Sequence, residues 1–75
     1  MRELVEYLAK SLASNPDEVV VTEDTESEGH ITIRLEVHSD DKGKIIGRQG
    51  RVAQAMRTLL RVAAVKQDVR VTLEI

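Results

Sequence analysis

The chain is built around the segment Lys42-Gly43-Lys44-Ile45-Ile46-Gly47-Arg48-Gln49-Gly50-Arg51. This segment holds three of the four glycines, so its backbone can adopt conformations that a side chain would hinder. Gly47 and Gly50 enclose a polar pair at the point where an apolar run ends and a helical pattern begins. Cations lie on both sides of that pair. The segment therefore predicts a turn between two helices whose backbone amides are open to an anion.

The N-terminal residues predict an amphipathic helix over residues 2–13. Its apolar stripe recurs every four residues, and consists of Leu4, Leu8 and Leu12, widened by Val5 and Ala9. Asn15-Pro16 follows. It ends the helix, because the residue before a proline is pushed out of the helical region.

Two strands are predicted between this helix and the glycine segment. The β-branched run at 19–22 is typical of a short strand, and the acidic run 23–29 predicts a loop. Residues 30–38 alternate apolar and polar side chains, which is typical of a strand with one buried face. The simplest connection between the two strands is an antiparallel hairpin.

Two helices and a strand are predicted in the second half. Ser39-Asp40-Asp41 is a helix-start signal, and about a turn and a half of helix fits before Gly47. A longer helix is expected from Gly50 or Arg51 to about Val65. Its apolar stripe is predicted at Val52, Ala55, Met56, Leu59, Val62 and Ala63, with Ala53 and Leu60 on the flanks. Residues 69–75 alternate and predict the third strand.

This order, α-β-β-α-α-β, predicts a single α+β domain over residues 1–75. Its helices are expected to pack on one face of a three-stranded sheet. A chain of 75 residues buries only about 60% of its unfolded surface, so dimerisation or a partner would help its stability.

Composition excludes several kinds of site. The absence of cysteine excludes disulfides, thiol nucleophiles and cysteine zinc sites. His30 and His38 belong to one strand and would lie about 27 Å apart, too far to share a metal. No paired carboxylates, nucleophile–base set or Walker motif is found, so neither an enzyme nor a cofactor is expected. No run approaches the ~18 apolar residues of a membrane span, and no signal-peptide pattern is found, which predicts a cytoplasmic protein.

Charge is distributed unevenly along the chain. Residues 1–41 hold 11 acidic and 3 basic side chains, whereas residues 42–75 hold 8 basic and 2 acidic ones. The formal net charge of −2 conceals this asymmetry, whose switch falls at the glycine segment. Such asymmetry indicates a polyanionic partner, although two oppositely charged faces could also serve solubility alone.

A G-x-x-G pattern alone often marks a mere helix corner. Placed between two helices of a β-α-α-β unit, it is the loop that clamps about four nucleotides of an RNA backbone. The predicted RNA-binding residues are Lys42, Lys44, Ile45, Ile46, Gly47, Arg48, Gln49, Gly50 and Arg51. The cations would attract phosphate, and the two isoleucines would form an apolar floor for a base.

Residues 41–50 resemble the D-x-G-x-I-I-G-x-x-G signature of bacterial KH domains, and the element order is similar to the type II arrangement. The continuation to Leu59 is similar to the KhpA-type family of small, single-domain bacterial RNA-binding proteins. Many KH domains carry isoleucine where this chain has Ala53, which we read as a character of that subfamily. The resemblance implies that Gly47 to Gly50 clamp phosphate. It also implies a homodimer and a larger, KH-containing Jag-type partner protein.

Two functional classes remain open on the sequence. The first is a non-enzymatic module for single-stranded RNA, acting as an RNA chaperone or post-transcriptional regulator. Arg51, Arg57 and Arg61 would then either extend its cationic track or form an ordinary solvated face. The absence of Trp and Phe excludes an RRM-like stacking sheet. The second class is a protein-interaction or dimerisation module with the loop as a helix corner, served by Met56, Leu59, Leu60 and Ala63.

Overall fold

The computed structural model describes all 75 residues, from Met1 to Ile75. Its elements are α1 (Arg2–Leu12), β1 (Val20–Ser27), β2 (His30–Glu36), α2 (Lys42–Ile46), α3 (Arg51–Lys66) and β3 (Arg70–Glu74). Short 3₁₀ turns at Pro16–Glu18, Ser39–Asp41 and Arg48–Gly50 precede β1, α2 and α3. The predicted α+β class and its α-β-β-α-α-β order are confirmed. None of the helices has the length and apolar character needed to cross a bilayer.

The sheet has the order β1-β2-β3, with β2 in the centre. β1 and β2 form the predicted antiparallel hairpin, in which Val20 lies opposite Glu36. β2 and β3 are parallel, from His30 opposite Arg70 to Arg34 opposite Glu74. Parallel neighbours need a crossover connection, which α2 and α3 supply. The glycine segment therefore lies inside that crossover.

The acidic run predicted as a loop is mostly strand, which corrects the sequence interpretation. β1 continues to Ser27, and Glu23 pairs with Ile33 of the central strand. Only Glu28 and Gly29 form the turn, with Gly29 at φ 77°. Because β1 is an edge strand, its acidic side chains stay in water while the backbone is paired on one side. Charges on an edge strand also oppose pairing with other chains.

One hydrophobic cluster joins the helices to the sheet. Its buried members are Val5, Ala9, Val19, Ile33, Leu35, Ile45, Met56, Leu60 and Leu73. β2 contributes Ile33 and Leu35 from the centre of the sheet, so the helices pack against that face as predicted. The opposite face is polar. There Thr32 is nevertheless buried, with Asp24 and Thr72 as its neighbours across the two adjacent strands.

The predicted apolar stripes of both long helices are rotated from the observed ones. In α1 the fully buried residues are Val5 and Ala9, whereas Leu12 is 42% exposed. In α3 the buried residues are Ala53, Met56, Leu60 and Ala64, whereas Leu59 and Val62 lie in solvent. Two adjacent apolar stripes run along α3, and helical periodicity alone does not tell which of them faces the sheet.

Candidate nucleic-acid interface

The turn between α2 and α3 is built from unusual backbone conformations. Gly47 has φ 80° and ψ 168°, a region that is essentially open to glycine alone. Gln49 and Gly50 are left-handed, at φ 58° and 73°. The Gly47 amide donates to the Gly43 carbonyl (2.8 Å) and the Gly50 amide to the Gly47 carbonyl (3.0 Å). α2 thus ends and α3 begins across the turn Gly47–Gly50, which we call the GXXG loop.

The two glycines of the GXXG loop have different steric surroundings. A Cβ at Gly47 would lie 2.4 Å from Cγ2 and 2.8 Å from the backbone nitrogen of Val52. A Cβ at Gly50 would meet no atom within 4 Å. Gly47 is therefore required by packing as well as by backbone conformation. Gly50 leaves open space beside the start of α3.

The start of α3 is suited to an anion. No side chain caps it, and although the Gly50 and Arg51 amides donate to the carbonyls of Gly47 and Arg48, no protein carboxylate or hydroxyl lies against the positive end of its dipole. Neither the GXXG loop nor α3 contains an acidic residue. Arg48 and Arg51 are exposed, and Arg51 Nη2 donates to Gln49 Oε1 (3.0 Å). Backbone donors, cations and open space therefore coincide at this loop.

The structure places the two predicted lysines away from the GXXG loop. Lys44 Nζ donates to Ser14 Oγ, next to the C-terminal end of α1. Lys42 lines a separate cavity together with Arg34, Glu74 and other residues at the ends of β2 and β3. Of the predicted cations, only Arg48 and Arg51 lie at the loop itself.

The two predicted isoleucines are also separated. Ile45 is fully buried in the core, so its part is to anchor α2 beneath the loop. Ile46 is 39% exposed and is the one of the pair with surface available to a ligand. Of the two isoleucines predicted to form an apolar floor for a base, only Ile46 therefore has surface to do so.

Asp41 ties the glycine segment to the N-terminal helix. Its buried carboxylate accepts the amides of Ser14 and Asn15, both at 3.0 Å, and the Asn15 side-chain amide at 3.3 Å. The hydrogen bond from Ser14 leads those that lower the pKa of Asp41, although burial acts in the opposite direction. The capping role predicted for Ser39 in the helix-start signal is wrong, because the residue before it, His38, is the cap: its Nδ1 accepts the Asp40 amide (3.0 Å).

A groove lies between β3 and α3, the helix that begins at the GXXG loop, and we call it the α3–β3 trough. Two adjoining cavities of about 170 and 370 Å³ form it, and they share Arg61, Val71 and Thr72. Arg57 lies at the end nearer the loop, seven residues after Gly50, or about 10 Å along the helix axis. The sequence drew attention to Arg57 and Arg61 but missed the opposite wall, since only the parallel pairing of β3 places that strand beside α3.

The two charged halves of the chain lie at opposite edges of the sheet. β1 carries exposed Glu23, Asp24 and Glu26 at one edge, while β3 and the trough lie at the other. Arg48, Arg57 and Arg61 form no ion pair, in contrast to Arg34, which pairs with Glu74 at 3.2 Å. Unpaired cations on one edge and acids on the other favour one surface for a polyanion.

The histidines occupy surface positions without a metal cluster. His30 Nε2 lies 2.9 Å from Thr72 Oγ1, and His38 lies near the carboxylates of Glu18 and Asp40. No group of three or more histidine or carboxylate side chains is placed to hold a metal ion.

A crossover with two helices, a G-x-x-G turn and a parallel pair of strands defines a type II KH domain. The family model described as KhpA/KhpB, KH domain, matches residues 2–75. The chain belongs to this family. No solved structure matches it significantly.

Curated relatives agree over nearly the full length. The chain is 51% identical over 75 residues to the RNA-binding protein KhpA of Clostridium acetobutylicum, covering 100% of this chain and 99% of that one. It is 52% identical over 77 residues to the RNA-binding protein KhpA of Caldanaerobacter subterraneus subsp. tengcongensis, with the same coverage. The protein of the same name from Treponema pallidum is 45% identical over 73 residues, covering 97% of this chain and 90% of that one.

Proposed function

We propose that this protein is a cytoplasmic, non-enzymatic RNA-binding module for single-stranded RNA. The GXXG loop would hold backbone phosphates, and the α3–β3 trough beside it would receive bases. The observation that carries the proposal is the start of α3, which no side chain caps. It lies beside Gly47, where Val52 leaves no room for a side chain on residue 47. The relatives, which are named RNA-binding proteins, support it.

Binding at this loop is an electrostatic and steric event with no covalent step. The open space beside Gly50 lets a phosphate approach the positive end of the α3 dipole. Arg48 and Arg51 add charge, while the hydrogen bond from Arg51 orients Gln49 across the turn. Three or four phosphate contacts on a single strand give log K against log salt a slope of roughly −2 to −3.

A single small groove binds weakly and with limited sequence specificity, which suits an RNA chaperone or post-transcriptional regulator that meets many transcripts. A second binding site would raise the overall affinity, since it makes the second contact intramolecular. A homodimer supplies such a site, and so does a complex with a larger Jag-type protein that carries its own KH domain.

The surface that suits such an association is the exposed apolar stripe of α3. Leu59, Val62 and Val65 are 47%, 53% and 73% exposed, although all three are large and apolar. Leu59 and Val62 lie outside both trough cavities, whereas Val65 also lines the end of the trough that is farther from the GXXG loop. A second copy of the chain packed here would leave both loops open to RNA.

The test of RNA binding is the double substitution Arg48→Asp with Gln49→Asp. It places anions where phosphate would sit, and both side chains are exposed, so the fold should persist. Aspartate also tolerates the left-handed conformation of residue 49 better than glutamine does. We expect gel-shift affinity for a single-stranded oligoribonucleotide to be lost while the circular dichroism spectrum is unchanged.

The matched control is Arg2→Asp with Thr22→Asp, which changes the net charge by the same amount at exposed positions on α1 and β1. This control should retain most of the affinity. Unchanged RNA binding by the loop variant, or an equal loss in the control, would contradict the proposed clamp. A salt-independent affinity of the wild-type protein would favour the protein-interaction class.

A further inference from the structure

We infer that Arg57 and Arg61 read one base of the bound strand by its acceptor atoms, and that this base presents two adjacent acceptors, as guanine does. The inference rests on the proposed function, because it assumes that RNA lies along the GXXG loop. It gives the protein a base preference at the α3–β3 trough, which the GXXG loop cannot supply because it would hold only phosphates.

The two arginines are placed as a pair. They are four residues apart on α3, so their side chains lie one helical turn from each other on the same side. Both line the 170 Å³ end of the trough, opposite Thr72 of β3. Neither guanidinium has an ion-pair or hydrogen-bond partner within the protein. Their donors are therefore free for a ligand.

The floor of the same cavity is apolar. Leu60 and Leu73 close it from below at 1% and 5% exposed, and Val71, which is half-buried, is the apolar lining side chain with surface left for a ligand. Such a floor suits the face of a base ring and offers nothing to a phosphate. Arg57 lines the cavity and is half-buried, which is typical of an arginine whose apolar stem is covered while its polar end stays in water. Bases that are splayed out of single-stranded RNA stack on such surfaces and are hydrogen-bonded at their edges.

The chemistry of a guanidinium selects among the four bases. Arginine carries donors only, in a planar fork, and its commonest specific contact is the O6/N7 pair of guanine. Cytosine offers a second pair of adjacent acceptors, N3 and O2. In adenine a donor adjoins each ring acceptor at that edge, and in uracil a donor separates the two oxygens. Adenine or uracil would therefore place one of its own N–H donors against an arginine N–H donor, and both would lack an acceptor, which opposes binding.

The experiment measures fluorescence anisotropy of U-rich octaribonucleotides that carry one central U, A, C, G or 7-deazaguanine. We expect the wild-type protein to prefer the G oligomer, or the C oligomer, over the U and A ones by about 5- to 150-fold. Substitution of 7-deazaguanine removes N7 and should abolish a preference for G, whereas a preference for C assigns the cytosine edge.

The variants Arg57→Gln and Arg61→Gln should each remove most of this preference while changing affinity for the all-U oligomer little. Lys66→Gln is the matched control, because Lys66 is an α3 cation outside the two trough cavities. The inference is overturned if the wild-type protein shows no preference. It is also overturned if the arginine variants bind every oligomer equally more weakly and their slope of log K against log salt is shallower by about one. That combination indicates that the arginine contacts a phosphate and not a base. Failure of the proposed function looks different, since the double variant Arg48→Asp with Gln49→Asp would then still bind the oligomers.

Discussion

Gly47 and Gly50 are equivalent in the sequence pattern but not in the structure. Gly47→Ala adds a clash with Val52 to a backbone conformation that alanine rarely adopts, so we expect a loss of about 2–5 kcal/mol in the free energy of unfolding. Gly50→Ala meets open space and should lose only about 1–2 kcal/mol, while Gly50→Asn should be tolerated. Urea unfolding of the three variants measures this difference. Equal losses at the two glycines would contradict the packing assigned to Gly47.

Asp41 should make stability depend on acid pH. Its pKa lies below the usual value in the folded protein, chiefly through the Ser14 amide, so the ionised carboxylate stabilises the fold at neutral pH. That contribution should be lost as the pH falls below about 4 and through the folded-state pKa. Asp41→Asn should lower the urea midpoint at pH 7 and flatten its decline in acid.

Glu3→Gln is the control for this dependence. The pKa of Glu3 is also lowered, first by a hydrogen bond to its own backbone amide, but this carboxylate is exposed at the chain terminus. Its loss should therefore change the acid profile less. If the two variants have the same profile, the buried carboxylate of Asp41 does not hold α1 to α2.

The sequence was a good guide to the backbone of the loop and a poor guide to its side chains. The spacing of Gly47 and Gly50 predicts a turn, because few other residues adopt those conformations. The directions of Lys42, Lys44 and Ile45 depend on how α2 is rotated against α1 and the sheet. The contacts of Ser14 and Asp41 that fix this rotation span 26 or more residues, beyond the reach of local pattern.

α3 presents two apolar stripes, and the outer one should be a contact between two copies of the chain. Val62→Lys places a further cation on a helix that carries no acid, so a symmetric contact would bring like charges together. We expect the dimer dissociation constant to rise roughly tenfold to a hundredfold, as the burial of half a valine on each copy is lost. Analytical ultracentrifugation measures the change.

Val20→Lys is the matched control, because Val20 is 51% exposed, close to the 53% of Val62, and lies on β1. It should leave self-association unchanged. A wild-type protein that stays monomeric at high concentration, or a Val62→Lys variant that remains fully dimeric, would contradict the assignment of this stripe.

The type and order of the helices and strands were predictable from sequence. The side of each long helix that faces the core, and the residues at which the strands end, were not. Alternation over residues 30–38 identified β2 because one of its faces is buried and the other is wet. β1 is exposed on both faces beyond Val21, so its sequence there does not alternate between apolar and polar residues. Its length is set by pairing with β2, a long-range effect that composition does not record.

For the whole molecule, the linear charge asymmetry becomes a spatial one. The acidic first half supplies the β1 edge, and the basic second half supplies the GXXG loop, α3 and the trough at the β3 edge. The sequence could predict the switch of charge at the loop. It could not place the two charged regions at opposite edges, which follows from the sheet order β1-β2-β3. An RNA strand should therefore be drawn to one edge and repelled from the other.

The most direct test of RNA binding at the GXXG loop is a titration of ¹⁵N-labelled protein with a single-stranded octaribonucleotide, followed by the backbone amide resonances. The largest saturable shifts should occur at Gly47 to Ala53 and along the trough at Leu60 and Val71, with β1 almost unchanged. Shifts concentrated on Leu59 and Val62, or no saturable change at the loop, would contradict the proposed site.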